Sequence, residues 1–230
     1  MKLLVKNISK HIGKKEILKD ISIELESGKV YGIVDAVNGH FMRGVRKVYG
    51  FVGKNGSGKT MLFRALSGLM DISSGKIFLD NKELHKDMRV LENVGIVIEN
   101  AGLYPELTGF NNLKMLSKLN KKIDDEQIRK TIVRVGLNPN DKRSFKKYSL
   151  GMKQRIVIAQ AIMEKPDILM LDEPTNALDE EGIEQIRKII KEERERGAIV
   201  LIASHNKEDI EVLADKVFSI SNGMLKESEE

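Results

Sequence analysis

The stretch Gly53-Lys54-Asn55-Gly56-Ser57-Gly58-Lys59-Thr60 constrains this chain more than any other. It matches the phosphate-loop pattern G-x-x-x-x-G-K-[ST], which carries meaning only between a strand and a helix. Lys47-Val48-Tyr49-Gly50-Phe51-Val52 before it is rich in β-branched and aromatic residues and reads as a strand. Met61-Leu62-Phe63-Arg64-Ala65-Leu66 after it reads as a helix. Glycines let such a loop curl until its N–H groups point inward at phosphate oxygens, and the helix adds its positive end. The binding set predicted here is Gly53, Asn55, Gly56, Ser57, Gly58, Lys59, Thr60 and Met61. Lys59 is placed on the β- and γ-phosphates, and the Thr60 hydroxyl on Mg²⁺.

A second element depends on the first. Ile168-Leu169-Met170-Leu171-Asp172-Glu173 is an apolar run ending in two acids. A buried parallel strand delivers both carboxylates to the carboxyl edge of its sheet, where a phosphate loop also sits. Asp172 is expected to hold Mg²⁺, and Glu173 to orient or deprotonate an attacking water. Ser149, ahead of a helix beginning near Gly151, makes a further anion site at a helix start, or simply an N-cap.

Around these motifs, residues 1–30 read as short strands: Leu3–Val5, Ile17-Leu18 and Ile21–Leu25. Further strands are expected at Ile77–Leu79 and Val94–Ile98. From about Glu106 to Lys147 the apolar residues recur with helical spacing, which predicts a helical lobe. After it, helices Gly151–Glu164, Glu180–Arg196 and one from Glu208 alternate with strands Ile168–Leu171 and Ile199–Ala203. The fold class that follows is α/β: a phosphate-loop core on a mostly parallel sheet, with an antiparallel β N-terminal subdomain and a helical lobe. The domain division is one unit, with 1–98 and 149–230 as catalytic core and 99–148 as helical lobe.

One feature is unusual. Lys29-Val30-Tyr31-Gly32-Ile33-Val34 recurs almost unchanged as Lys47-Val48-Tyr49-Gly50-Phe51-Val52. Both copies cannot fill one central strand. The second runs straight into Gly53, so Val48–Val52 is expected in the sheet and residues 29–46, the repeated unit, as an exposed excursion. The alternative register puts Val30–Val34 in the sheet and throws residues 35–52 out beside the phosphate loop.

Composition narrows the function classes. Of 230 residues, 41% are hydrophobic and 32% charged, enough for one substantial core. No window approaches the ~18 uncharged apolar residues of a membrane helix, and no secretory leader is expected. The absence of cysteine excludes disulfides and thiolate metal sites. The net charge of +5 is scattered in pairs such as Lys14-Lys15 and Lys146-Lys147, which reads first as a lysine-rich solvated surface; a basic face meeting nucleic acid or an anionic membrane leaflet is the other reading.

Taken together, the motifs resemble the ATP-binding cassette of ABC transporters over essentially the whole chain except the repeated unit. Gly53–Thr60 is similar to Walker A and Asp172-Glu173 to Walker B. Ser149-Leu150-Gly151-Met152-Lys153-Gln154 is similar to the signature motif, Asn176-Ala177-Leu178-Asp179 to the D-loop, and His205 in Ala203-Ser204-His205 to the switch histidine that senses the γ-phosphate. The resemblance implies ATP and Mg²⁺ as cofactors, ATP hydrolysis carried by Glu173, His205 and Lys59, and a head-to-tail homodimer when ATP is bound. In that dimer Ser149 and Gly151 of one cassette close over the nucleotide of the other. It implies a transmembrane permease as partner, no integral membrane segment, no nucleic acid, and a cytoplasmic place at the inner face of the membrane.

Glu99 stands where the family usually has a glutamine that meets Mg²⁺ and the membrane partner. With Leu103–Thr108 and the Ser-Leu-Gly-Met signature, it resembles the branch serving lantibiotic or bacteriocin immunity and bacitracin-type export. Ile12 replaces the aromatic residue that stacks on adenine. Two other readings stay open: an ABC-type ATPase acting on nucleic acid or ribosomes, and a binding-only cassette disabled by the repeat. A single cassette, no coiled-coil insertion and no zinc cysteines argue against the first.

Overall fold

Ile199-Val200-Leu201-Ile202-Ala203 carries no polar side chain, and such a strand is stable only where both faces are covered. The computed structural model, which describes residues 1–35, 57–98 and 102–227, covers them both. In chain order the elements are β1 Lys2–Ile12, β2 Lys15–Glu26, β3 Lys29–Asp35, α1 Lys59–Ser67, β4 Ser74–Leu79, β5 Lys82–Glu83, β6 Val94–Val97, α2 Gly109–Asn120, α3 Asp125–Arg134, α4 Leu150–Ile162, β7 Ile168–Asp172, α5 Glu180–Glu195, β8 Ile199–Ala203, α6 Lys207–Leu213, β9 Lys216–Ser221 and β10 Met224–Glu227.

Two sheets result. The larger runs β10-β9-β3-β8-β7-β6, parallel except for the β9–β10 hairpin. The smaller, β2-β1-β4-β5, is antiparallel. The period of two along β8 sorts its side chains. Ile199, Leu201 and Ala203 join the core shared with the small sheet and α1. Val200 and Ile202 join the core under α2 to α6. This is the α/β architecture expected: a mostly parallel sheet, an antiparallel N-terminal sheet, and helices α2 and α3 between β6 and α4.

The central strand overturns the expectation about the repeat. It is the first copy, Lys29–Asp35, that lies between β8 and β9, with Val30 opposite Val200 and Tyr31 opposite Lys216. It is not an exposed excursion: Val30, Tyr31 and Ile33 are at most 1% exposed. The second copy, Val48–Val52, lies outside the described residues.

Three physical features hold the first copy in place. β2 hands its chain to β3 through a two-residue turn at Ser27-Gly28, in which Gly28 has φ 76° and donates to Ala198 O at 3.0 Å. The Val30 N–H donates to Asp215 Oδ2 at 2.7 Å, and the Glu26 N–H to the Tyr31 hydroxyl at 2.8 Å. Gly32 admits α6, since a Cβ there would stand 3.0 Å from Ile210 Cδ1 and 3.1 Å from the Ala214 Cβ. Tyr49 and Gly50 repeat Tyr31 and Gly32, but Phe51 stands for Ile33. Ile33 is fully buried, and enlarging a filled position typically costs about 1–3 kcal/mol.

Candidate active site

Parallel strands end at one edge, so Asp35 at the end of β3 and the residues that follow β7 and β8 meet there. Asp172 ends β7 opposite Ala203, the last residue of β8. α1 begins at the same edge, with Gly58 as its N-cap at φ 112°, a conformation that favours glycine. Space is short as well: a Cβ on Gly58 would lie 3.3 Å from Ile220 Cδ1. The Ser57 carbonyl accepts from the Gly223 N–H at 3.4 Å, which ties the end of the phosphate loop to the β9–β10 turn.

The Thr60 hydroxyl donates to Asp172 Oδ2 at 2.8 Å. Two of the three residues predicted as metal ligands, Thr60 and Asp172, therefore share one point. Glu173 takes φ 51°, and its N–H donates to Ala203 O at 2.8 Å. That strained position turns its side chain toward His205, whose Nδ1 lies 2.8 Å from Glu173 Oε2. The His205 N–H adds a 3.4 Å bond to the same oxygen. Glu173 is about a quarter exposed, so water reaches it, whereas His205 is mostly exposed.

Lys59 and Met61 follow Gly58 in the first turn of α1. Lys59 Nζ is paired with Asp35 Oδ2, at the end of β3. This partner was absent from the sequence reading. Its signal was an acid closing the first hexapeptide where Gly53 closes the second. Gly53, Asn55, Gly56 and Glu99 lie outside the described residues.

Ser149 and Gly151 do not join this cluster. Ser149 is exposed and caps α4, its hydroxyl accepting from the Met152 N–H at 3.2 Å. Gly151 faces the D-loop instead: a Cβ there would lie 2.9 Å from the Ala177 carbonyl oxygen. Ala177 itself sits at φ 64°. Gln154, which the sequence places at the end of the signature-like stretch without a role of its own, donates from Nε2 to the carbonyls of Glu173 and Pro174, both at 3.3 Å. Asp179 caps α5. The Gly182 N–H first of all, with Arg155 nearby, holds its carboxyl below the ordinary range against a desolvation cost. Ile12 ends β1 half-exposed, next to a turn at Gly13 with φ 58°.

A buried network lies beneath the cluster. Thr175, two residues past Glu173, donates its hydroxyl to Asp209 Oδ2, and Arg187 Nε donates to Asp209 Oδ1 at 2.8 Å. Asp209 is fully buried and belongs to α6, the helix that follows His205. The Glu208 carboxylate first, then Asp209 and Glu184, raise the Arg187 pKa above its usual value despite burial. The network joins the turn after Glu173 to the helix after His205.

The ABC transporter family profile matches residues 34–176. The chain belongs to the ABC transporter family. It is 45% identical over 225 residues to YybJ, an uncharacterized ABC transporter ATP-binding protein of Bacillus subtilis (strain 168), covering 98% of this chain and 95% of that protein. It is 34% identical over 223 residues to the lantibiotic transport ATP-binding protein SrtF of Streptococcus pyogenes, covering 97% and 88%. It is 37% identical over 217 residues to the bacitracin transport ATP-binding protein BcrA of Enterococcus faecalis, covering 92% and 70%. In fold the cassette matches the dimeric structure of MJ0796, a bacterial ABC transporter cassette, with a TM-score of 0.79 at 20% identity over 99% of both chains. No helix among the described residues is long and apolar enough to cross a membrane.

Proposed function

We propose that this cassette is the ATP-hydrolysing subunit of a transporter that exports an antimicrobial peptide or drug through a separate membrane permease. The observation that carries the reading is the meeting of Thr60 with Asp172 and of Glu173 with His205 at one sheet edge, beside the helix start that carries Lys59. Lys59 binds the β- and γ-phosphate oxygens of ATP. Glu173 orients a water toward the γ-phosphorus and takes its proton as the bond to the ADP oxygen breaks, releasing ADP and phosphate. His205 holds the Glu173 carboxylate in place.

The hydroxyl of Thr60 and the carboxylate of Asp172 are hard oxygen donors, and their adjacency suits Mg²⁺, which needs few protein ligands. When bound, Mg²⁺ neutralises charge on the phosphate oxygens. Glu99 is the third proposed ligand.

Ser149 and Gly151 act across a head-to-tail homodimer. Support comes from the exposure of Ser149 and from Leu150 beside it, which leaves 70% of its surface open. The permease contact is placed on the segment from Glu99 to Thr108, where Tyr104 is about half exposed. Export of peptides or bacitracin-like drugs is supported by the names of the lantibiotic and bacitracin relatives. That role places the subunit at the cytoplasmic face of the membrane. The working division is a catalytic core of 1–98 and 149–230 with a helical lobe of 99–148.

The test is phosphate release from ATP as a function of protein concentration. Specific activity rises with concentration if the dimer hydrolyses. Mixing Ser149→Arg with Lys59→Ala chains restores one composite site. Activity independent of concentration in a demonstrated monomer overturns the dimer, and absence of any phosphate release overturns the ATPase.

A further inference from the structure

We propose that Asp35 sets the nucleotide affinity of this cassette, as an internal carboxylate that competes with ATP phosphate for Lys59. The inference deepens the site above and rests on Lys59 being its phosphate ligand.

The strand that carries Asp35 is locked. Val30 is held by Asp215, Tyr31 by the Glu26 N–H, and Gly32 lies under α6. Asp35 is the last residue of β3, opposite Ile220, and projects at the edge where α1 begins. Its Oδ2 pairs with Lys59 Nζ, and both side chains are largely withdrawn from solvent, 16% and 13% exposed. Its Oδ1 is buried and meets no donor among the described residues. The carboxylate thus faces the start of α1 with one oxygen on the lysine and one to spare.

An ammonium group binds a carboxylate oxygen and a phosphate oxygen by the same charge-assisted hydrogen bond. Where Asp35 holds Lys59, a phosphate must displace it. The freed carboxylate then stays beside the anion and repels it. The second hexapeptide carries Gly53 in the corresponding place, with neither charge nor side chain. The acid is therefore specific to the copy that fills the strand. If only the fraction of molecules with Lys59 released binds ATP, the apparent dissociation constant rises by the inverse of that fraction.

The experiment is titration of the full chain with ATP and Mg²⁺, read by calorimetry, for the parent, Asp35→Asn, Asp35→Gly and Asp35→Glu. Asp35→Asn and Asp35→Gly are expected to bind ATP about tenfold more tightly, while Asp35→Glu, which keeps the anion, stays near the parent. Adding Lys59→Ala to Asp35→Asn should abolish the gain. Parental affinity in a folded Asp35→Asn overturns the inference while leaving Lys59 as phosphate ligand, provided Lys59→Ala alone still weakens binding. If Lys59→Ala binds ATP as the parent does, both the inference and the reading of the site fall. Should the Asp35 variants not fold, a chain lacking residues 29–46 joins Gly28 to Lys47 and brings Gly53 to the end of the strand. Parental affinity in that variant overturns the inference equally.

Discussion

The two halves of the catalytic edge are built alike yet stand in different states. On one side, β7 and β8 place Asp172, Glu173 and His205 in mutual contact, with Thr60 on Asp172. On the other, β3 ends in an acid that occupies Lys59. The hydrolytic half rests on strands present once in the sequence. The phosphate half rests on a strand for which the sequence offers two candidates differing at two points, Ile33 against Phe51 and Asp35 against Gly53. The two candidates agree at the buried Val30, Tyr31 and Gly32 but differ in charge at the strand end, so the copy that fills β3 sets the charge beside Lys59.

The largest effect is expected in the hydrolytic half. Glu173→Gln should lower the rate of phosphate release by about 10²–10⁴-fold while ATP binding persists, since only the proposed proton acceptor is lost. Hydrolysis at the parental rate would remove the functional meaning of the Glu173–His205 contact and leave the two halves equally inert.

Next comes the framework under that half. Asp209→Ala leaves the Arg187 guanidinium without its one buried carboxylate partner, and breaking such a pair typically costs about 3–5 kcal/mol. Urea unfolding measures it. A loss well below 1 kcal/mol would mean that the Thr175–Asp209–Arg187 network does not hold the turn after Glu173.

A smaller change separates the two hexapeptides. Gly32→Ala drives a methyl group against Ile210 and Ala214 and should cost about 1–3 kcal/mol. Gly50→Ala, the same change in the second copy, should leave the melting temperature unaltered. The reverse result would mean that the second copy fills β3 in solution and that the phosphate half carries Gly53.

The smallest effect concerns a cap close to the D-loop. The Asp179 carboxyl is depressed in the folded chain, so its contribution is present above the ordinary carboxylate range and is lost as pH falls through the folded value. Asp179→Ala should lower the melting temperature slightly at neutral pH, and the gap to the parent should close on acidification. A gap that does not change with pH would detach the cap from the carboxylate charge.

Much of this fold was legible because apolar period and motif agreed. The boundaries Ile199–Ala203 for β8 and the start of α5 at Glu180 follow directly from pattern and from the Asp179 cap. The apolar pattern marks only Leu3–Val5, whereas β1 extends from Lys2 to Ile12. Asn7 at φ 48° and register shifts after Val5 and Ile8 break the alternation that marks a strand. The β9–β10 hairpin was missed although Asn222-Gly223, at φ 49° and 80°, is the turn dipeptide that signals one. The Thr175–Asp209 bond joins residues 34 apart in sequence, a pairing no local pattern encodes.

By itself, the sequence determined the alternation of strands and helices and the family, and it brought forward the candidate site residues Lys59, Thr60, Asp172, Glu173 and His205. Lys59, Thr60, Asp172 and Glu173 follow from local pattern, because a strand end and a helix start are set by neighbouring residues, whereas His205 follows from the family resemblance. Only the tertiary structure decided which hexapeptide fills the centre of the sheet. The two copies share the same local preferences, so the choice falls to contacts that neither contains: the two-residue turn from β2 and a fully buried slot that holds Ile33. That choice brought Asp35 to Lys59.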